Sequence, residues 1–400
     1  MRVIMSKSSR YVMFALLYFA QGAILSYFTA LNSLYLLSFD LTMSQVGLVG
    51  AIGLIPFVLK IFLGMLSDRV DLAGWGHRKP YIIFGLLVQS ACLMIVPQIN
   101  PGSQYGLYAL LAFVLMLGMA LYDTCTDGYA LDSTPEAEQG TIQGFMVGGR
   151  ALGVVAISAA LGVLVERLGW AAAFYSLAVL SLVPLPLVFQ IREQPRKAEQ
   201  QFSWSAFRAF TKIPVISLAV LGALYSLIIN GANQLVNPFL QNQFGITYAA
   251  AGFVTTVWGI GVVLGSLAGG RLTDRWGQRQ SVIRAMFLSL GAILLLGFTN
   301  AAWMVWPLVI LFGLAYGFYE TVYFAVSMNK TDPRIAASMF SILMAVANIG
   351  TGIGLALSGS MVDAIDFSTT FIILAGLNLL AFPLVGLIFG RRQAVAAPIS

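Results

Sequence analysis

"GMLSDRVDLAGWGHRK" fills residues 64–79, and "GRLTDRWGQRQ" fills residues 270–280. Each places Gly, Leu, an Asp-Arg pair and a second Gly between two apolar runs. "GMLSDR" (64–69) returns as "GRLTDR" (270–275) at an offset of 206, and "GHRK" (76–79) returns as "GQRQ" (277–280) at 201. The five residues "DLAGW", present only in the first copy, account for the drop. "YDT" (122–124) returns as "YET" (319–321) and Gly153 as Gly350, both at 197, once about four extra residues near "PQINPGSQY" are allowed for. Three blocks in order, with a drift that insertions explain, describe one unit used twice in the same orientation, a parallel repeat.

The unit is a membrane unit. The 400 residues are 59% hydrophobic and 10% charged, with mean hydropathy +0.86, whereas a soluble domain carries about 25% charge. Apolar stretches of about 20 residues cross the hydrocarbon core as helix. They are expected at 11–36, 44–66, 80–98, 105–131, 141–165 and 169–191, then at 213–241, 248–270, 281–299, 301–328, 336–361 and 368–390. The fold class is therefore an all-α integral membrane protein of 12 transmembrane helices in two pseudo-symmetric six-helix bundles. The polar segment "IREQPRKAEQQFSWSAFRAFTK" (191–212) divides them, giving an N-terminal bundle at 1–191, a central loop at 192–212 and a C-terminal bundle at 213–400. "MRVIMSKSSR" leads directly into the first span, which is expected to be retained.

Lys and Arg collect in cytoplasmic loops. With both termini inside, 19 of the 22 fall on the cytoplasmic side; Arg167 is external, and Lys60 and Arg150 lie within spans. The net charge of +6 thus reports topology, and no soluble basic domain exists to bind nucleic acid. Cys92 and Cys125 lie in apolar runs and suggest no disulfide framework. No phosphate-binding loop, metal cluster or nucleophile constellation is present. The chain reads as a non-enzyme without cofactor, whose expected partners are the lipid bilayer and a small molecule, acting as a monomer in a bacterial inner membrane.

On these motifs the chain resembles the major facilitator superfamily over essentially its whole length. The signature of that family reads here as Gly64, Leu66, Asp68, Arg69, Gly76, Arg78 and Lys79, and again as Gly270, Leu272, Asp274, Arg275, Gly277 and Arg279. A lysine in span 2, "PFVLK", with "YDTCTDGYALD" and "GRALG", is similar to the branch holding folate–biopterin transporters, muropeptide permeases and acetyl-CoA transporters. "GHRKPYIIFG" is also similar to the bacteriochlorophyll-delivery family and the glycoside–cation symporters. The resemblance implies that Asp68 latches the halves by meeting the N-terminal end of span 11, expected near Arg334–Ala337, through the helix dipole. Gly64, Arg69, Arg78, Gly270, Asp274, Arg275 and Arg279 would serve the same gating loops, with Lys60 of span 2 grouped with them, and Arg69, Arg78 and Lys79 could hold their loop against lipid phosphate. The plainer reading is a solvated, orienting loop. His77 is expected to be structural.

Charges inside a span cost at least about 2.5–3.5 kcal/mol and require a partner or a wet cavity. Five residues qualify: Lys60, Asp123, Asp127, Arg150 and Glu320. A rise of ~1.5 Å per residue puts the first four in the cytoplasmic half of the first unit, with Asp123 and Asp127 on one helix face. They form either a self-neutralising structural network or a site. As a site, Arg150 would anchor a carboxylate or phosphate, since its fork fits planar anions, and its counterpart in the second unit is Ala347. Asp123, Asp127 and Glu320 would carry the coupling proton; the alternative for Glu320 is a neutral, hydrogen-bonded side chain. Polar-Gly pairs interrupt spans 1 and 7 at Gln21-Gly22 and Asn230-Gly231, a pointer to a central site. Gln234, Asn237 and Asn348 extend it, and Tyr225, Tyr316 and Tyr319 could stack on a flat ligand. The reading is a secondary transporter that moves a polar organic solute, an anion among the candidates, by alternating access, coupled to protons or Na+. The alternatives are a non-transporting assembly or pigment-delivery factor and a cation-coupled sugar symporter.

Overall fold

The computed structural model describes residues 7–72, 74–133, 136–191, 193, 211–330 and 336–390. No strand occurs among them. Span 1 is α1 (Lys7–Ala30) with the short α2 (Asn32–Leu37), and span 2 is α3 (Met43–Val58) with α4 (Lys60–Arg69). α5 (Lys79–Ile95), α6 (Tyr105–Ser133) and α7 (Glu136–Leu168) follow, and α8 (Trp170–Leu182) with α9 (Leu185–Val188) closes the first half. The second half is α10 (Ile213–Phe244), α11 (Tyr248–Trp276), α12 (Gln278–Gly297), α13 (Val305–Lys330), α14 (Ala336–Ala364), and α15 (Phe367–Leu377) with α16 (Phe382–Phe389). These make the twelve expected spans.

Eleven of them are uninterrupted enough to be recognised as crossings by length and apolarity; the exception is span 2, where only Met43–Val58 forms a shorter apolar helix. Pro56 lies inside α3. It cannot donate to the helix ladder and its ring crowds the preceding turn, and the chain turns at Leu59 before α4 begins at Lys60. The expected interruptions in spans 1 and 7 are absent: α1 and α10 run through Gln21-Gly22 and Asn230-Gly231 without a break. These glycines are crossing points instead. A Cβ on Gly22 would lie 2.1 Å from the carbonyl oxygen of Arg150, and one on Gly231 would lie 3.0 Å from that of Gly354. Without a hydrophobic force to join helices in lipid, such close backbone approach supplies the packing.

The repeat is built as well as written. α1 packs on α7 as α10 packs on α14. The signature glycines meet the repeated threonines: a Cβ on Gly64 would reach the Thr124 methyl at 3.4 Å, and one on Gly270 would reach that of Thr321 at 4.0 Å. The halves join along two seams, α3 on α14 and α7 on α11. An even number of spans puts both termini at one end of the bundle, termed the basic end; the other is the distal end.

Candidate functional site

The signature loop is held from within the protein. Arg78 is buried; its Nη1 donates to Ser67 Oγ at 2.7 Å and its Nε to Asp132 at 3.2 Å. Lys79 Nζ donates to the carbonyl of Phe189 at 2.7 Å. Both side chains therefore have partners within the protein, at the ends of spans 2, 4 and 6. Glu193, which carried no sequence signal, organises the loop. Its carboxylate accepts from the backbone N–H groups of His77 (2.7 Å), Arg78 (2.7 Å) and Lys79 (2.6 Å) at the start of α5. Gly76 turns there with φ +113°, and a Cβ would lie 2.6 Å from that carboxyl group. His77 Nδ1 lies 3.1 Å from the carbonyl of Ser67. In the second copy Arg275 and Arg279 are exposed, while Arg284 covers the Trp276 ring at 3.8 Å. The side chains of Asp68, Arg69 and Asp274 lie outside the described residues, as does Arg334; α14, which is span 11, begins at Ala336.

Deeper in the same half, the break at Leu59 aims Lys60 into the bundle. Its Nζ lies 2.5 Å from Asp123 Oδ2 and 3.3 Å from Asp127 Oδ2, which share one face of α6. Tyr18, three residues before Gln21 on α1, donates its hydroxyl to the other oxygen of Asp127. The Asp123 side chain is 5% exposed and that of Asp127 40%. One carboxylate is sealed against the lysine, and the other remains reachable.

Arg150 stays out of this network. It is half-buried on α7, and among the described residues its side chain has no hydrogen-bond or ion-pair partner. Its charge acts on Tyr18 in its own half and on Tyr316 and Glu320 of α13 in the other half. Glu320 likewise has no hydrogen-bonded partner among the described residues. The bonded network therefore comprises Lys60, Asp123, Asp127 and Tyr18, one cation for two carboxylates. The self-neutralising set of two bases and two acids expected from the sequence is not formed, because Arg150 lies outside it and acts instead on Glu320 of the other half.

Beside Glu320, Tyr316 donates to Asn230 Oδ1 at 2.9 Å, and Asn230 donates to Thr351 Oγ1 at 3.1 Å and to the carbonyl of Ser226 at 3.0 Å. Trp258 of α11 stands edge-on to Tyr316 at 5.1 Å. Beyond it a small cleft is lined by Thr29, Asn233, Asn237, Thr255 and Trp258. Asn237 donates to the carbonyl of Ala30 (2.7 Å) and to Thr255 (3.1 Å), yet its Oδ1 and the indole Nε1 of Trp258 are buried without partners. Both residues line the cleft, whose volume of about 10 Å³ is near that of a single water.

The other expected ligand residues are placed differently. Gln234 donates to the carbonyl of Leu355 at 3.0 Å and thereby ties α10 to α14. Gln21 is buried with Oε1 unpartnered. Tyr319 is wholly buried, 4.8 Å from the Tyr225 ring inside the second half; Tyr316, one turn earlier, is the tyrosine that meets the polar cluster. Asn348 is half-buried on α14.

Comparison with known proteins places this architecture. The sequence pattern of the Major Facilitator Superfamily matches residues 12–237 and 218–399, and the chain belongs to that family. It is 25% identical to the folate-biopterin transporter of Synechocystis over 378 residues, covering 87% of this chain and 74% of that protein. It is 24% identical to the anhydromuropeptide permease of Escherichia coli over 353 residues, 83% of this chain and 70% of that one. Among solved structures, the nucleoside transporter NupG superposes with a TM-score of 0.78 at 16% identity, covering 96% of this chain and 99% of that chain. The protein is a membrane transporter of this type for organic solutes.

Proposed function

We propose that this transporter moves an organic anion by alternating access, coupled to protons, with Arg150 as the anion anchor. One observation carries the reading. A guanidinium inside a span, where an unpaired charge is costly, is free of side-chain partners while the neighbouring lysine holds both aspartates. A planar, always-charged fork in that setting suits a carboxylate or phosphate. The open donor at Trp258 and acceptor at Asn237 suit a neutral hydroxyl group on the same solute, which can accept from one and donate to the other. The relatives named for folate and muropeptides are consistent with an organic acid.

Charge balance supports proton coupling. With every group ionised, Lys60 and Arg150 face three carboxylates, Asp123, Asp127 and Glu320, an excess of one negative charge that one proton removes. An anion seated at Arg150 restores the excess and calls for another proton. Asp127, reachable beside Lys60, and Glu320, opposite Arg150, are the carriers this arrangement favours; Asp123 fixes Lys60. In this reading the termini are cytoplasmic, the membrane is a bacterial inner membrane, the two six-helix halves rock as units about the central loop, and the signature loops gate the basic end. The test is uptake into proteoliposomes under an imposed proton gradient, across folates, amino sugars, muropeptides, nucleosides and neutral sugars. Uptake confined to acids, and lost in Arg150→Gln, is expected. Equal uptake of neutral solutes by Arg150→Gln and by the unaltered protein would refute the anion assignment.

A further inference from the structure

The distal ends of the two seams are the same structure made twice. Thr42 caps α3 and Thr247 caps α11, each accepting from the backbone N–H three residues on. Gly47 of α3 lies on Leu355 of α14, and Gly252 of α11 lies on Ser158 of α7; a Cβ would sit 2.1 Å and 2.4 Å from the respective carbonyl oxygens. Gly359 of α14 lies on the Met43 carbonyl and Gly162 of α7 on that of Tyr248, where a Cβ would sit at 2.1 Å and 2.4 Å. Threonine, glycine and contact residue on the capped helices correspond at one offset of 205. Glycine and contact residue on the facing helices correspond at another of 197.

Each seam then ends on a carboxylate. Asp363 of α14 accepts from the backbone N–H groups of Met43 (3.0 Å) and Ser44 (2.6 Å) and from the Ser44 hydroxyl (2.5 Å). Glu166 of α7 accepts from the backbone N–H of Ala249 at 3.0 Å. Glu166 and Asp363 again stand 197 residues apart. Both reach across from one half to the first turn of a helix in the other, where N–H groups lack intrahelical acceptors and the helix dipole favours negative charge.

We propose that Glu166 and Asp363 are paired gating residues that hold the distal end closed, each as a carboxylate clasp on the other half, and that both must release before that end opens. Chemistry and position support the pairing. Each bond crosses between the halves, so a rigid-body separation of the halves at this end breaks it. Both carboxylates are exposed, as are their bonds to Ser44 and Ala249, with only the Met43 N–H partly buried, so water can take over the carboxylates and the freed N–H groups. The clasps can therefore open without leaving buried polar groups unsatisfied. The glycine contacts behind them are too close to slide, which makes the seam either seated or parted.

This inference rests on the alternating-access reading but is tested without any solute. In a background with Cys92 and Cys125 replaced by alanine, Ala51→Cys puts one thiol behind the α3–α14 seam, beside Gly352. A membrane-impermeant maleimide is applied from the distal side of reconstituted protein. Asp363→Ala and Glu166→Ala are each expected to speed labelling about fivefold, the equivalent of about 1 kcal/mol, and the double variant about twentyfold. Asp363→Asn and Glu166→Gln, which keep shape and lose charge, should fall between. An unchanged rate in the double variant overturns the proposal, as does a single variant that labels as fast as the double. If the alanine variants fail to elute as folded protein, the amide pair decides by the same criteria. Failure to find a transported acid would sink the functional reading and leave the labelling result standing.

Discussion

Replacing Lys60 by methionine tests the intramembrane network in a way that separates its two carboxylates. Methionine keeps the length of the side chain and removes the charge that bridges Asp123 at 2.5 Å and Asp127 at 3.3 Å. Breaking a buried ion pair by removing one partner costs about 3–5 kcal/mol, because the other charge is left buried. Asp123, 5% exposed, meets that condition. Asp127, 40% exposed and hydrogen-bonded by Tyr18, does not; its share is closer to the ~0–1 kcal/mol of a solvated pair. Lys60 is itself 31% exposed, so the lower end of the buried range applies, and Lys60→Met should cost about 3 kcal/mol. Asp123→Asn should cost less, because Lys60 retains Asp127, and Asp127→Asn less again. The double variant Lys60→Met with Asp123→Asn should recover about 2 kcal/mol relative to the sum of the singles. The assay is reversible unfolding of the purified protein in mixed detergent micelles, read by tryptophan fluorescence as a double-mutant cycle. Additive single effects, or a larger loss from Asp127→Asn than from Asp123→Asn, would show that the ranking by burial is wrong.

Arg150→Gln is expected to weaken transport of an acidic solute at least tenfold while leaving unfolding within about 0.5 kcal/mol of the unaltered protein, because no side chain depends on it; a large stability loss would make Arg150 structural. Glu320→Gln should permit exchange of solute across the membrane yet prevent concentration against a gradient, compared by counterflow and by gradient-driven uptake in the same vesicles. Glu193→Ala removes the shared acceptor of three N–H groups at the start of α5 and should cost about 1–3 kcal/mol and speed protease cleavage between residues 70 and 78. Equal cleavage rates in the two proteins would show that the loop is held by Arg78 and Lys79 alone.

How far the sequence could be read follows from what kind of force fixes each feature. The spans, the repeat and the membrane class depend on composition and on recurring glycines, and both are local to the chain. The clustering of Lys60 with Asp123 and Asp127 was also accessible, since depth along a helix follows from residue count. The separation of Arg150 from that cluster was not, because rotation of α7 about its axis is set by Gly22 seating on the Arg150 backbone. The inward turn of Arg78 and the role of Glu193 depend on a contact between residues more than a hundred positions apart. Polar-Gly pairs at matching positions of two repeats, Gln21-Gly22 and Asn230-Gly231, suggest interruptions; in the bundle these glycines allow close crossing, and the helices continue. Trp258 and Tyr18 carried no pattern of their own and became visible only as neighbours of Tyr316 and Asp127.

The duplication also separates frame from function. Where the two units correspond, the shared residues make helix-to-helix contacts: Gly64 with Gly270, Thr124 with Thr321, Gly162 with Gly359, Glu166 with Asp363. Apply the same offsets to the charged groups and the correspondence fails. Lys60 falls on Ser266, Asp127 on Phe324 and Arg150 on Ala347; only Asp123 keeps an acidic partner, Glu320. A purely architectural network would have been copied with the helices that need it, as the seams were. Lys60, Asp127 and Arg150 are instead specific to the first half, while the tryptophan that lines the cleft is specific to the second, where Trp258 falls on Gly53. The two halves thus offer unlike faces to whatever lies between them, an arginine on one side and a carboxyl with an indole on the other. A symmetric frame needs this asymmetry to bind a solute with two different ends, and it predicts the order of loss: exchanging Arg150 and Ala347 between the halves should abolish recognition of the acid while leaving both clasps, and the labelling behaviour they control, unchanged.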